Sequence, residues 1–179
     1  MKEDIKKNVQ KKSLIRLIAC QALCMYYDIN NEEKSIDKIL KSINDHYVEV
    51  EFPGGQHNDL YKKAFTSNLI NNVITNSTEY DILINKFLDK QYTTETLDDI
   101  LVQSFRLAIY ELKNTAIKKS IIINEYVDIV AEFYNDVYVN FANGILDNIA
   151  AEIRDGGQKK ESIKKTKTTL ARSIIKLKK

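Results

Sequence analysis

An all-helical fold is what this sequence predicts, on three observations. Apolar residues recur at spacings of three and four through most of the chain, the mark of a helix with one buried face. Turn-forming residues are scarce, 5 Gly and 1 Pro in 179 residues, too few for the many tight turns of a sandwich or barrel. At 44% hydrophobic and 29% charged residues, the chain is also too apolar for disorder. Its length fits one domain, or two small subdomains sharing a core, and buries roughly two-thirds of the unfolded surface without covalent staples.

The first helix is expected from about Lys12 to Ile29, with Leu14, Ile18, Ala22, Met25 and Ile29 on its inner face. Lys12 and Arg16 then fall on the opposite side, so a buried face and a basic face share one helix. Asp28, Asn30 and Asn31 end it, and a second helix from about Glu32 to Tyr47 turns Ile36, Ile39, Leu40 and Ile43 inward. Val48 to Phe52 alternates weakly like a strand, but an isolated strand has nothing to pair with, so a loop is expected, closed by the turn Phe52-Pro53-Gly54-Gly55. No Lys-Ser or Lys-Thr follows the glycine pair at the spacing of a phosphate-cradling loop.

A third helix is expected over Asn58 to Asn76, through Leu60, Ala64, Leu69, Ile70, Val73 and Ile74, and a short fourth over Glu79 to Leu88, through Tyr80, Leu83, Ile84 and Phe87. Thr96-Leu97-Asp98-Asp99 places negative charge where a helix N-terminus favours it. The helix it opens runs to about Asn114 and buries Leu97, Leu101, Phe105, Ala108, Ile109 and Leu112. Ile121, Ile122 and Ile123 are consecutive β-branched residues with a local preference for extended backbone, so a joint is expected there, with Asn124 capping a helix from Glu125 to Tyr134. The last core helix carries Tyr138, Phe141, Ala142, Ile145, Leu146, Ile149 and Ile153 at strict helical period. Gly144 sits inside that period as a helical glycine, and its cost of about 1 kcal/mol relative to Ala implies another backbone close by. After Asp155-Gly156-Gly157 the chain reads as a basic tail, either disordered or weakly amphipathic through Ile163, Leu170, Ile174, Ile175 and Leu177.

The formal net charge of +2 conceals an uneven distribution. Residues 1–16 hold six basic and two acidic side chains, residues 155–179 hold nine and two, and the body between them is left at −9. Basic ends suit a polyanion, and an acidic body suits a basic protein; the lysine-rich tail is equally well explained as a solvated end. Cys20 and Cys24, one helical turn apart, are poorly placed for a disulfide and read as reduced thiols; a metal pair would have to recruit His46 or His57, neither of which has a motif partner. The N-terminal apolar run is interrupted by Arg16 and Gln21, unlike a signal peptide, and no stretch approaches the ~20 apolar residues of a membrane span. A cytoplasmic protein without membrane attachment is expected. No GxSxG, HExxH or other catalytic constellation is present, so neither enzymatic activity nor a cofactor is expected.

Three segments carry a resemblance. Leu107-Ala108-Ile109-Tyr110-Glu111-Leu112, then Ile123-Asn124-Glu125-Tyr126-Val127, then Phe141-Ala142-Asn143-Gly144-Ile145-Leu146-Asp147 resemble, in order and near spacing, three signatures of the NusB family: R-I-A-L-Y-E-L, I-N-E-A-V-E-L-A and F-V-N-G-V-L-D. Ala19-Cys20-Gln21-Ala22-Leu23 is similar, more thinly, to the A-x-Q-A-L of the family's first helix. Between Tyr27 and Asp99 the likeness is one of length and helical pattern only.

The resemblance implies an all-α, NusB-like fold of about seven helices in two small bundles packed together. Residues 1–154 would form the helical domain, with an N-terminal bundle over about 12–77 and a C-terminal bundle over about 79–154, followed by the tail 155–179. It implies an RNA-binding antitermination factor that, with NusE, a small-subunit ribosomal protein, binds boxA-type RNA and joins the transcription elongation complex on ribosomal RNA operons. The family's basic segment at the start of the first helix corresponds here to Lys11-Lys12-Ser13-Leu14-Ile15-Arg16. Lys11, Lys12 and Arg16 remain as RNA-binding candidates, while Ser13 and Leu14 stand where arginines are usual. Lysines give phosphates a point charge, whereas arginines add bidentate geometry and stacking, so the departure weakens base selectivity more than general affinity. Tyr138, Asn140 and Phe141 neighbour a second family contact region. The two rings either stack on bases or pack in the core, and their helical spacing with Ile145 favours the core. A second reading keeps the fold as a protein-interaction scaffold with RNA binding largely lost. A third, an RNA-modifying enzyme with such a domain at its N-terminus, requires a methyltransferase domain elsewhere in a longer chain.

Overall fold

The computed structural model describes residues 2–29, 34–50 and 64–156, and every regular element among them is a helix. These are α1 (Lys2–Asp28), α2 (Ile36–Val50), α3 (Ala64–Thr75), α4 (Ser77–Asn85), α5 (Asp99–Asn114), α6 (Lys119–Phe133) and α7 (Asp136–Arg154). They divide into two compact units, Met1–Thr75 and Asn76–Lys179.

In the first unit α1 packs against α2 and α3. Helix α1 begins a full ten residues before the expected Lys12, so the lysine-rich start of the chain is helical rather than loop. Its buried residues are Ile15, Arg16, Ile18, Ala19, Cys20, Ala22 and Leu23. Ile15, Ala19 and Leu23, at spacings of four, draw the buried arc round toward Arg16 and away from Leu14, which is only half-buried. Helix α2 buries Ile39, Leu40 and Ile43 as expected. It also runs on through Val48 to Val50, where a loop was expected; helix continuity wins over a weak local alternation. The Pro53 turn, the start of the expected third helix at Asn58 and the tail from Gly157 lie outside the described residues.

In the second unit α5, α6 and α7 pack on one another and α4 lies against α5 and α7. The centre is built from Leu101, Phe105, Ile109, Ile122, Tyr126, Val130, Leu146 and Ile149, all buried. Three polar devices lock this packing. Arg106 joins α5 to α4 by donating two hydrogen bonds to Asp81, Nε to Oδ1 at 2.8 Å and Nη2 to Oδ2 at 2.7 Å, the planar fork matching the carboxylate. Glu111, fully buried, accepts a hydrogen bond from the Tyr126 hydroxyl of α6 at 2.8 Å. At the end of α7, the Arg154 guanidinium donates to the carbonyls of Leu112 (2.7 Å), Ile117 (2.8 Å), Thr115 (2.7 Å) and, more weakly, Glu111 (3.3 Å). One side chain thereby satisfies the Leu112 carbonyl in the last turn of α5 and the Thr115 and Ile117 carbonyls of the connection that follows, and its charge suits the negative end of that helix.

Two expectations are corrected here. Ile121, Ile122 and Ile123 are not an extended joint but the first turns of α6, and Asn124 is an exposed mid-helix residue rather than a cap. Ile122 and Ile123 are buried, and that burial overrides the weak β preference of three branched residues. The chain breaks earlier, between Thr115, extended at φ −127° and ψ 157°, and Lys118 at ψ 135°. The second correction concerns Gly144. It is helical, but among the described residues no atom beyond its own stretch of helix lies within 4 Å of where its Cβ would be, so none of their backbones requires a glycine there.

Candidate nucleic-acid interface

Lys12 is exposed on α1, one turn before the bundle closes over the helix, and Lys11 precedes it on the same helix. Arg16, one further turn along, is 3% exposed and already engaged. It therefore belongs to the buried arc, and the exposed basic candidate on this helix is Lys12. Lys2, Lys6, Lys7, Lys11 and Lys12 are strung along the first three turns of this helix. Five cations within three turns concentrate positive charge, which a polyanion would neutralise.

Tyr138, Asn140 and Phe141 lie together on the first turns of α7 in the second unit. The helix opens at Asn135, whose side-chain oxygen accepts a hydrogen bond from the Val137 N–H at 3.1 Å. That cap fixes where Tyr138 and Asn140 emerge. Asn140 is exposed and Tyr138 half-buried. Phe141 is buried, its ring 6.3 Å from that of Phe105 on α5, so it props the helix against the core rather than presenting a free face.

Other residues beside Tyr138 were missed from sequence. Tyr134 stands four residues before it, across the extended joint between α6 and α7, and the two rings lie 5.0 Å apart at 34°; because of that break, helical periodicity does not pair them. Tyr92 comes from the connection between α4 and α5, and no sequence pattern points to it. Its hydroxyl is held above the usual tyrosine range by burial, then by the neighbouring Tyr138 and Asp89. The connection is pinned: the Tyr92 N–H donates to the Asp89 carbonyl at 2.8 Å, the Thr94 N–H donates to Asn85 Oδ1 at 2.9 Å, and the Thr93 N–H donates to Thr96 Oγ1 at 2.9 Å. Phe133, at the α6–α7 corner, is 53% exposed. Among residues 76–156 acidic side chains outnumber basic ones fourteen to seven, and Asp128, Glu132 and Asp136 are exposed along α6 and the start of α7.

Cys20 and Cys24 are not joined in a disulfide, and no cluster of metal-ligating side chains occurs among the described residues. No helix among them is long and apolar enough to cross a membrane.

Comparison with known proteins matches residues 13–151 to the NusB family model. The chain is 30% identical over 148 residues to the transcription antitermination protein NusB of Caulobacter vibrioides, covering 82% of this chain and 97% of that one. It is 26% identical over 149 residues to the protein of the same name from Bartonella tribocorum, covering 83% and 93%. Its fold is similar to a solved structure of T. maritima NusB, with a TM-score of 0.63 at 25% identity over 78% of this chain and 90% of that one. With the family model spanning most of both units, the chain belongs to the NusB family, whose named members are transcription antitermination proteins rather than enzymes.

Proposed function

We propose that this chain is an RNA-binding antitermination factor that acts with NusE on boxA-type RNA to support transcription of ribosomal RNA operons. It would work in the cytoplasm, as part of the transcription elongation complex. The observation that carries this reading is the basic first half of α1 in a chain of this family. Lys11 and Lys12 close a run of five lysines along the first three turns of that helix, a concentration of positive charge that a phosphate backbone would neutralise. The acidic character of residues 76–156 supports a basic protein partner such as NusE on charge grounds.

The burial of Arg16 favours a second reading, a protein-interaction scaffold with RNA binding largely lost, because it removes one of three basic candidates from the surface. Binding of a boxA-bearing strand and a scrambled strand, each with and without NusE, separates the two. The leading reading expects preference for boxA in the presence of NusE; equal affinity for both strands would overturn it. Lys11→Gln with Lys12→Gln is expected to weaken binding at unchanged helicity and to flatten the log–log salt dependence by about 1.4, each single-strand phosphate contact contributing about 0.7. Arg16 is unsuitable for this test, since replacing a buried cation perturbs folding as well.

A further inference from the structure

We propose that residues 157–179, the basic tail, dock on the outward face of α6 in the same molecule and shield its carboxylates from other basic partners. Charge and connectivity within the second unit carry this, and it does not depend on RNA binding.

The outward face of α6 is acidic. Ile121, Glu125, Asp128 and Glu132 recur at spacings of four, three and four, which is one stripe of the helix. Ile121 is 48% exposed, and Asp128 and Glu132 are exposed as well. Residues 120–136 hold four acidic side chains and no basic one. Elsewhere in the unit Glu79, Asp81, Glu152 and Asp155 each hold a lysine or arginine in an ion pair, whereas Asp128 and Glu132 hold none among the described residues. Glu132 stands in the last turn of α6, where no basic residue occurs, so its charge meets the negative end of the helix. A cation brought to this face relieves both repulsions.

The chain delivers cations to that place. Helix α7 ends at Arg154, and Asp155 pairs with Lys119, the first residue of α6. Gly156, at φ +66°, then turns the backbone out of the helix. The tail therefore starts beside the beginning of α6, a helix of 15 residues and about 22 Å. Residues 157–179 hold nine basic side chains and one acidic. Ile163, Leu170, Ile174 and Leu177 recur at helical period, with Lys160, Lys167 and Lys178 along one edge of that stripe. Such a segment offers cations to Asp128 and Glu132 and an apolar line to Ile121 and the exposed Ala131. A nucleic acid would use the cations and leave the apolar line in water, so the pattern favours a protein face. Tethering supplies an effective concentration of about 1 mM, so a face that would bind the free tail at only about 0.1 mM is occupied about ten to one.

The test is amide hydrogen exchange of the full chain, read by mass spectrometry at micromolar concentration without RNA. Amides of residues 163–177 are expected to exchange about tenfold more slowly than in an Asp128→Lys, Glu132→Lys variant. Both positions are exposed and lysine suits the end of the helix, so that variant is expected to keep the parent's helicity by circular dichroism. Adding Lys160→Glu, Lys167→Glu and Lys178→Glu to it is expected to restore the protection. Protection absent from the parent, or unchanged by the reversal, overturns the proposal, as does a loss that the charge swap leaves unrestored. Protection that grows with protein concentration puts a second copy on the face, and protection that appears only with RNA assigns the tail to nucleic acid; each of these overturns it too.

Discussion

Arg154→Ala offers the sharpest test of how the second unit holds together. The guanidinium makes three hydrogen bonds of 2.7–2.8 Å and one of 3.3 Å to carbonyls of residues 111–117. Bonds to a charged donor are worth about 1.5–3 kcal/mol each when the partner is left buried. These acceptors are only partly buried, so the low end applies and water recovers some of the loss. Three strong bonds then put the cost of Arg154→Ala at about 3–5 kcal/mol. Arg154→Lys keeps the charge but offers a point donor that reaches one or two carbonyls, so about half of that loss is expected. Urea unfolding followed by circular dichroism reads both: with a slope of about 2 kcal/mol per molar, the alanine midpoint falls by about 1.5–2.5 M. Because the partners are carbonyl dipoles at a helix end and not carboxylates, the difference should be nearly the same at low and high salt. A loss below about 1 kcal/mol, or one that halves in 1 M salt, would refute the reasoning, showing instead a screened surface charge of small effect.

Three further outcomes are expected. Gly144→Ala, with open space where the Cβ would sit, should stabilise the chain by about 1 kcal/mol through helix propensity and unfolded-state entropy; a lower thermal midpoint would reveal a close neighbour. Asp81→Ala strips Arg106 of its two-bond acceptor and leaves a largely buried cation, for an expected loss of about 3 kcal/mol in denaturant unfolding, whereas a change under about 0.5 kcal/mol would mean that Gln103 suffices as its partner. The Tyr80 hydroxyl is pushed up to about 12 by burial, then by Glu79 and Tyr110. The folded state therefore keeps this proton at a pH where the unfolded chain has lost it, so the contribution is complete below about pH 10 and declines as pH rises toward 12. Tyr80→Phe should flatten the alkaline fall in stability over that window, and an unchanged pH profile would argue against the assignment.

Most of the helical order could be read because α5 and α7 keep the 3.6 period of their large apolar residues; Phe141 to Ile149 present a single buried stripe, whereas α5 is buried nearly all round, Gln103, Ser104, Arg106 and Glu111 included. The reading went astray where local preference and tertiary packing disagree. Three isoleucines read as extended backbone until Ile122 and Ile123 find a core to fill. Gly144 suggests a crowded crossing, and the described residues form none there. On α1, period alone could not tell which of two overlapping apolar arcs faces inward, and choosing Leu14 over Ile15 turned Arg16 outward when it is buried. The candidate site divides the same way. Lys12 is visible from charge and position, whereas Tyr134 meets Tyr138 across the break between α6 and α7, where helical period gives no guide. Tyr92 is invisible, because the loop that carries it to Tyr138 is set by side-chain bonds of Asn85, Thr93 and Thr96 that leave no periodic trace.

The isoleucine run at the start of α6 also bears on how the chain assembles. Residues 119–133 have poor intrinsic helicity, so the segment should be largely unstructured as an isolated peptide. It becomes a helix by seating Ile122, Ile123, Tyr126 and Val130 between α5 and α7. Helix α6 then depends on α5 and α7 for its order, and its amides should exchange with solvent only when the whole second unit opens. The segment carrying one of the family's signatures would thus be ordered by its neighbours and report, residue by residue, on whether they are in place.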